Sequence, residues 1–290
     1  MIHLRKLLNK MLYKRLIFGD FHGHFDSLNQ IYQDEKPYSV IHLGDYFDNF
    51  HGSVDSIKDA FTNLLKLRED HLSDTKNGDF TLLLGNHDYH YLQYGLEQYS
   101  GYNKKYDIWA HTQLQELWDN RQIKICEYDY TSKTLYSHAG FTNTWLKENR
   151  MEEVDFDDIN KYINLFNLRF TYAGGGDWYG DSVYSSPIWV RPNSLLSDMY
   201  KDKDGIQWTQ IVGHTHDTTP TVYYEKNSRV GYPRATDYNY INACELKPVL
   251  YVMDCMPKYY IREMITIDGE VKSREIVKNE KYRLYEHKKY

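Results

Sequence analysis

Five short runs in this 290-residue chain each close an apolar stretch, with a glycine nearby, on side chains able to bind a cation. They are Asp20-Phe21-His22, Asp45, Asn86-His87, His138 and His214-Thr215-His216. Asp20 and His22 stand two apart, so in an extended turn both point the same way and offer one carboxylate and one imidazole to a single ion. A carboxylate such as Asp45 can give an oxygen to each of two ions and hold them at the roughly 3.5–4 Å separation used in two-metal hydrolysis. The amide oxygen of Asn86 and the imidazoles of His138 and His214 would complete the second ion. Nitrogen and oxygen donors without a thiolate point to manganese, iron or zinc, and away from a structural zinc site.

Taken singly, each run has a plain structural explanation. A strand-end Gly-Asp is commonly a turn or a helix cap. Of the 13 histidines, His3, His51, His71, His90, His111 and His287 are assigned to solvated positions, His42 to a packed strand and His24 to the start of a helix. Only the ordered set argues for chemistry.

The elements that must carry these residues are legible from hydrophobic period. Arg15-Leu16-Ile17-Phe18 reads as a strand ending at Gly19-Asp20, and Phe25, Leu28, Ile31 and Tyr32 recur at helical spacing. A second strand runs from Tyr38 to Leu43 and stops at Gly44-Asp45. The unit repeats, with a helix marked by Val54, Ile57, Phe61, Leu64 and Leu65 and a strand Phe80–Leu84 stopping at Gly85-Asn86. Such repeats predict an α/β sandwich with its chemistry at the strand C-termini.

Residues 89–121 read as helical, and strands are expected at Ile123–Tyr128 and Thr134–Tyr136. A helical elaboration follows over 142–187, with a solvated acidic face at Glu152, Glu153, Asp155, Asp157 and Asp158 and a flexible break at Gly174-Gly175-Gly176. A helix is expected near Leu195–Tyr200, then the strand Gln210–Val212. A β-rich segment, 238–290, closes the chain, with Asp268-Gly269 as a hairpin turn. The simplest organisation is a single domain over 1–290, preceded by a basic amphipathic extension at 1–14.

With 35 basic against 41 acidic side chains and a net charge of −6, the composition excludes a strongly basic nucleic-acid binder. No stretch reaches the roughly 18 apolar residues of a membrane span. Cys126, Cys244 and Cys255 are odd in number and far apart, so no disulfide framework is indicated and a reducing cytoplasm fits.

The motifs Gly19-Asp20-Phe21-His22-Gly23, Gly44-Asp45-Tyr46-Phe47-Asp48, Gly85-Asn86-His87-Asp88, His138-Ala139-Gly140 and Gly213-His214-Thr215 resemble the ordered motifs of the calcineurin-like metallophosphoesterases. Within them the chain is most similar to the Ser/Thr phosphoprotein phosphatase branch and its bacterial and phage relatives. The resemblance implies a four-layer α/β/β/α sandwich with a dinuclear centre, manganese first and iron or zinc as alternatives. It gives Asp20, His22 and Asp45 to one ion, and Asp45, Asn86, His138 and His214 to the other. It makes His87 the general acid with Asp48 holding its ring, while water held by the ions attacks phosphorus in line. Asn86 and Arg191 would contact the substrate phosphate. His216 stays open: the broader superfamily often carries a second ligand there, and the Ser/Thr branch usually does not.

Two departures bear on substrate. Asn49 follows Asp48 where the Ser/Thr branch usually has arginine, and the third motif ends in Asp88 rather than glutamate. The second feature also resembles bacterial diadenosine tetraphosphate hydrolases. The expected substrate is therefore a phosphorylated protein, with a nucleotide as the leading alternative. Tyr46, Tyr89, Tyr91 and Tyr94 could stack a nucleobase, although 29 tyrosines in the chain make a local cluster weak evidence. A phosphodiesterase or nuclease, and a metal-free scaffold, are further alternatives.

Overall fold

The computed structural model describes residues 11–49, 52–93, 98, 100–153, 155–166, 181–216, 219–225, 234–235, 247–254 and 258–281. The N-terminal helix read over residues 1–12 falls almost wholly outside these, as do the glycine break at 174–176, Tyr94, Cys244 and Cys255.

The chain begins with β1 (Tyr13–Phe18), α1 (Phe25–Glu35), β2 (Ser39–His42), α2 (Val54–Ser73), β3 (Phe80–Leu83), α3 (Asn86–Leu92), α4 (Asp107–Asp119) and β4 (Ile123–Lys124). These four strands pair in parallel, in the order of the sequence. Each crossover therefore returns the chain to the same side, and the ends of β1, β2 and β3 line up along one edge.

The second part runs β5 (Cys126–Asp129), β6 (Thr134–Ser137), α5 (Asn143–Glu148), α6 (Phe156–Phe166), α7 (Pro192–Ser197), β7 (Thr209–Val212), β8 (Thr221–Tyr224), β9 (Arg234–Ala235) and β10 (Pro248–Val252). The hairpin β11 (Tyr259–Ile265) and β12 (Val271–Lys278) then rejoins the first sheet, antiparallel to β1. Two six-stranded sheets result, β12-β11-β1-β2-β3-β4 and β5-β6-β7-β10-β8-β9.

Strand alternation sorts the core. Leu16 and Phe18 of β1 face helix residues Leu28, Ile31, Phe61 and Leu64. Ile17, between them, points the other way and packs with Ile41, Leu43 and Leu83 against Tyr136, Ile211 and Tyr251 of the second sheet. On that sheet Val212, Leu250 and Val252 pack with Val190, Leu195 and Leu196 around α7. The mixed α/β architecture is the one the repeated unit predicts.

Three local expectations are corrected. The helical stretch over 89–121 is two helices, α3 and α4, with Gly101 at φ 89° between them. The single strand expected at Ile123–Tyr128 is divided between the two sheets as β4 and β5. Asn160 of α6 clasps that crossing: its Oδ1 accepts from the Ile125 and Cys126 amides at 2.9 and 3.2 Å, and its Nδ2 donates to the Cys126 carbonyl. The helix expected near Leu195 starts earlier, at Pro192, whose fixed φ and missing N–H suit the first helical position.

The acidic face of the elaboration is solvated as expected, with Glu152, Glu153, Asp155 and Asp157 exposed. Among the described residues no helix is long and apolar enough to cross a membrane.

Candidate active site

The turns that follow β1, β2, β3, β6 and β7 converge, and they bring Asp20, His22, Asp45, Asn86, His138 and His214 together. Asp45 Oδ2 lies 3.4 Å from His138 Nε2 and 3.9 Å from His22 Nε2. Asn86 Oδ1 lies 2.8 Å from His138 Nε2 and 3.0 Å from His214 Nδ1. Asp20, His22 and Asp45 present ligand atoms within 4.8 Å of one another.

The turns are held close and under strain. A Cβ at Gly85 would lie 2.1 Å from Asp45 Oδ1, and one at Gly213 2.0 Å from Asp20 Oδ1, so at both positions the strand-end glycine is a requirement of approach. His22, Asp45, Asp48 and His214 all adopt positive φ, between 42° and 63°. Left-handed backbone costs a residue other than glycine on the order of 1–3 kcal/mol, and it persists where the surroundings enforce it.

Each of the three imidazoles places one ring nitrogen on a backbone carbonyl. His22 Nδ1 meets Phe47 O at 2.7 Å, His138 Nδ1 meets Leu43 O at 2.8 Å, and His214 Nε2 meets Trp189 O at 3.0 Å. A carbonyl only accepts, so the proton sits on that nitrogen and the other nitrogen turns a lone pair inward. Burial lowers the proton affinity of His138 and His214, the Arg191 charge adding to the effect at His214, so both rings stay neutral. With the Asn86 amide in this orientation, acceptor atoms face one another at hydrogen-bond distance.

That arrangement fits a cation. Outer hydrogen bonds that fix the tautomer are the usual support of metal-binding histidines. The carboxylates agree: burial, Asp254 and Asp45 push the Asp20 carboxyl well above its ordinary range. Such crowding of buried acids is relieved by positive charge.

Asp254 was not singled out by sequence reasoning. It follows β10, is 5% exposed and interacts with the Asp20 carboxyl, and among the described residues its Oδ1 accepts no hydrogen bond. Its signal was the same grammar, an apolar run ending on a carboxylate, without the glycine. His216 lies outside the packed cluster: its side chain is 64% exposed, with Nδ1 3.8 Å from Asp254 Oδ1.

His87 Nδ1 lies 2.8 Å from Asp48 Oδ2, and the backbone N–H of His87 donates to Asp45 Oδ1 at 2.9 Å. Burial lowers the His87 proton affinity, but Asp45 and the bonded Asp48 outweigh it and raise the ring to about 9. His90, expected in solvent, is instead fully buried with Nε2 2.7 Å from Asp48 Oδ2. His71 and His111 are likewise buried, against Tyr32 and Gly78 in one case and the Tyr91 carbonyl in the other. Helix faces turned toward the core carry these histidines inward. His42 is packed as expected: burial draws its ring down to about 3, and it accepts from the Gly44 amide.

The two departures in the motifs have structural roles. Asp88 accepts from the backbone N–H groups of Asp45, Tyr46 and Gly85 at 2.8, 2.6 and 2.9 Å, which ties the β2 and β3 turns together. Asn49 donates to the His22 carbonyl at 2.7 Å and fastens the first turn to the second. Arg191 immediately precedes α7, and its side chain donates to His214 O at 3.2 Å and Thr215 Oγ1 at 3.4 Å, beside the cluster. Tyr46 and Tyr91 are fully buried and Tyr89 is 7% exposed, so these rings are core and are not available to stack a base.

The family model of the calcineurin-like phosphoesterases matches residues 13–239, and the chain belongs to that family. Its reaction class is the hydrolysis of phosphoesters, and the family is metal-dependent. Among solved structures, a protein serine/threonine phosphatase from Saccharomyces cerevisiae with similarity to human phosphatase PP5 shares the fold with a TM-score of 0.50. The identity is 11%, over 95% of this chain and 86% of that chain. No curated protein matches the chain in sequence.

Proposed function

We infer that this phosphoesterase hydrolyses phosphate monoesters of the kind found on phosphoserine and phosphothreonine, with a pair of divalent cations, manganese before iron or zinc. The observation that carries the reading is the inward set of lone pairs, from three histidines whose other nitrogens are fixed on carbonyls. Asp20, His22 and Asp45 would hold one cation, and Asp45, Asn86, His138 and His214 the other. When bound, the cations supply positive charge to the phosphoryl oxygens and acidify water near neutral pH.

The remaining work falls to the chain itself. Asp48 receives His87 Nδ1, so Nε2 is the atom left to give a proton to the departing oxygen. A positioned acid contributes about 10²–10⁴ in rate when the leaving group is a poor one. Arg191, braced on the His214 carbonyl and the Thr215 hydroxyl, carries the planar fork that suits two phosphoryl oxygens. Asn86, whose Oδ1 faces His138 and His214, would offer its amide N–H groups to the same phosphate. The buried thiol of Cys126 is free, as a reducing cytoplasm permits.

The test is a manganese-supplemented panel of phosphoserine and phosphothreonine peptides, mononucleotides, dinucleoside polyphosphates and bis-para-nitrophenyl phosphate. Monoester peptides should turn over best. Faster cleavage of dinucleoside polyphosphates would move the enzyme to the nucleotide hydrolases, and preference for the diester would make it a phosphodiesterase. A folded chain that binds no metal and is inert on every member would be a scaffold.

A further inference from the structure

Asp48 carries more partners than its contact with His87 requires. Its side chain is buried, and its φ of 63° fixes the direction in which the carboxylate leaves the backbone. Oδ2 lies 2.8 Å from His87 Nδ1 and 2.7 Å from His90 Nε2. Oδ1 accepts from the hydroxyls of Tyr91 and Tyr106, the latter at 2.9 Å. Both hydroxyls are themselves tied down: Tyr91 accepts from the Asn103 amide at 2.9 Å, and Tyr106 from the Asp48 amide at 3.3 Å.

The surroundings leave these groups little room. His90 sits edge-on to Tyr91 and to Tyr102, with ring centroids 4.3 and 5.2 Å away, and Tyr91 packs on Phe47 at 5.4 Å. His87 and His90 stand three apart on α3, a spacing that lets both reach one oxygen. A carboxylate bonded to His87 alone would be free to turn about its Cβ–Cγ bond and carry the imidazole with it. Here the hydrogen bonds from the Tyr91 and Tyr106 hydroxyls hold it, and His90 Nε2 closes against Oδ2 as a 2.7 Å contact.

We propose that His90, together with the Tyr91 and Tyr106 hydroxyls, positions the proton donor: the three fix the plane of the Asp48 carboxylate, which in turn aims His87 Nε2 at the leaving oxygen. The inference rests on the reading of His87 as that donor. A donor aimed in this way matters only when the leaving group needs a proton, and this separates the role from one of packing alone. Displacement of a catalytic group by about 1 Å can cost on the order of a hundredfold in rate.

The experiment uses the full chain loaded with Mn²⁺ and compares a phosphoserine peptide with para-nitrophenyl phosphate, whose leaving group is stable without a proton. His90→Phe keeps a ring among Tyr91 and Tyr102 but removes both nitrogens, and Tyr106→Phe removes one hydroxyl. His87→Asn is the reference, with metal content and melting temperature measured for each variant. His90→Phe and Tyr106→Phe should lower kcat on the phosphopeptide by roughly tenfold to a hundredfold. KM should hold, and the nitrophenyl ester should change by no more than about twofold.

Equal losses on both substrates, or no loss on either, would overturn the proposal. If His90→Phe fails to fold, Tyr106→Phe decides, since it leaves the ring in place. A reference variant that lowers both substrates alike removes the donor role of His87, and this inference falls with it. If His87→Asn separates the two substrates while His90→Phe and Tyr106→Phe do not, the positioning role alone is rejected.

Discussion

Asp45 meets three other parts of the chain, with Oδ1 on the His87 amide and Oδ2 toward His22 and His138. Asp45→Asn keeps the shape but replaces an anionic oxygen by an amide. The variant should lose bound manganese, measured by elemental analysis after dialysis, and turnover of para-nitrophenyl phosphate should fall on the order of a thousandfold or more. Retention of both would remove the two-cation reading. His87 gives a second test at this scale. Its ring is raised to about 9 in the metal-free chain, so its contribution to stability is full below the ordinary 6.5 and is lost as pH rises through 9. In chelator, the melting temperature of the wild type should exceed that of His87→Asn most below pH 6.5, and the gap should close by about pH 9. The contribution is at most roughly 3–4 kcal/mol. A gap independent of pH would contradict the raised value.

At the scale of elements, the site is a set of turns at the ends of parallel strands, held together by backbone bonds as well as side chains. Gly213 N donates to His138 O at 2.8 Å, Leu43 N to Phe18 O at 2.9 Å, and Asp88 joins the β2 and β3 turns. A methyl group at Gly85 would press on Asp45 Oδ1, and the backbone there has an Asp45 amide nitrogen 2.4 Å from the same position. Gly85→Ala should therefore force the β2 and β3 turns apart. The expected result is weaker manganese binding by calorimetry, on the order of tenfold or more, with the circular dichroism of the sheets preserved. Wild-type affinity in Gly85→Ala would show that the turns yield without cost.

Across the whole molecule, the two sheets are joined by a buried polar knot that includes none of the cluster residues. Glu263 of β11 lies between its cross-strand neighbours Arg15 and Arg274. It is fully buried, pairs with Arg15 at 2.7 Å and Arg274 at 2.6 Å, and accepts from the Tyr136 hydroxyl of the second sheet. Burial alone would raise its carboxyl, but the two guanidinium groups prevail and keep it ionised. Removing Glu263 leaves Arg274 charged without its counterion and Arg15 with only Asp129, 3.7 Å away, at a cost of about 3–5 kcal/mol. Glu263→Gln should lower stability to urea by that amount while the Mn²⁺ affinity of the surviving folded fraction stays near wild type. Unchanged stability would show that the knot does not hold the sheets together.

Residue order and local period already declared much of this protein. Strand-helix-strand repeats, strand ends marked by glycine, and a nitrogen and oxygen donor set were all visible along the chain, because period and turn chemistry are properties of neighbouring residues. Which side chains meet was a matter for the tertiary structure. Leu43 and His138 are 95 positions apart, and Asn86 and His214 are 128 apart, so their contacts depend on sheet order. For the same reason His90 passed for a solvated histidine, Tyr46, Tyr89 and Tyr91 for exposed stacking surfaces, and Asp254 went unnoticed. Burial is decided by what packs on a residue from elsewhere in the chain, and no local pattern encodes that partner. The division of Ile123–Asp129 between two sheets has the same origin, since a run of strand-forming residues does not state which neighbours it will pair with.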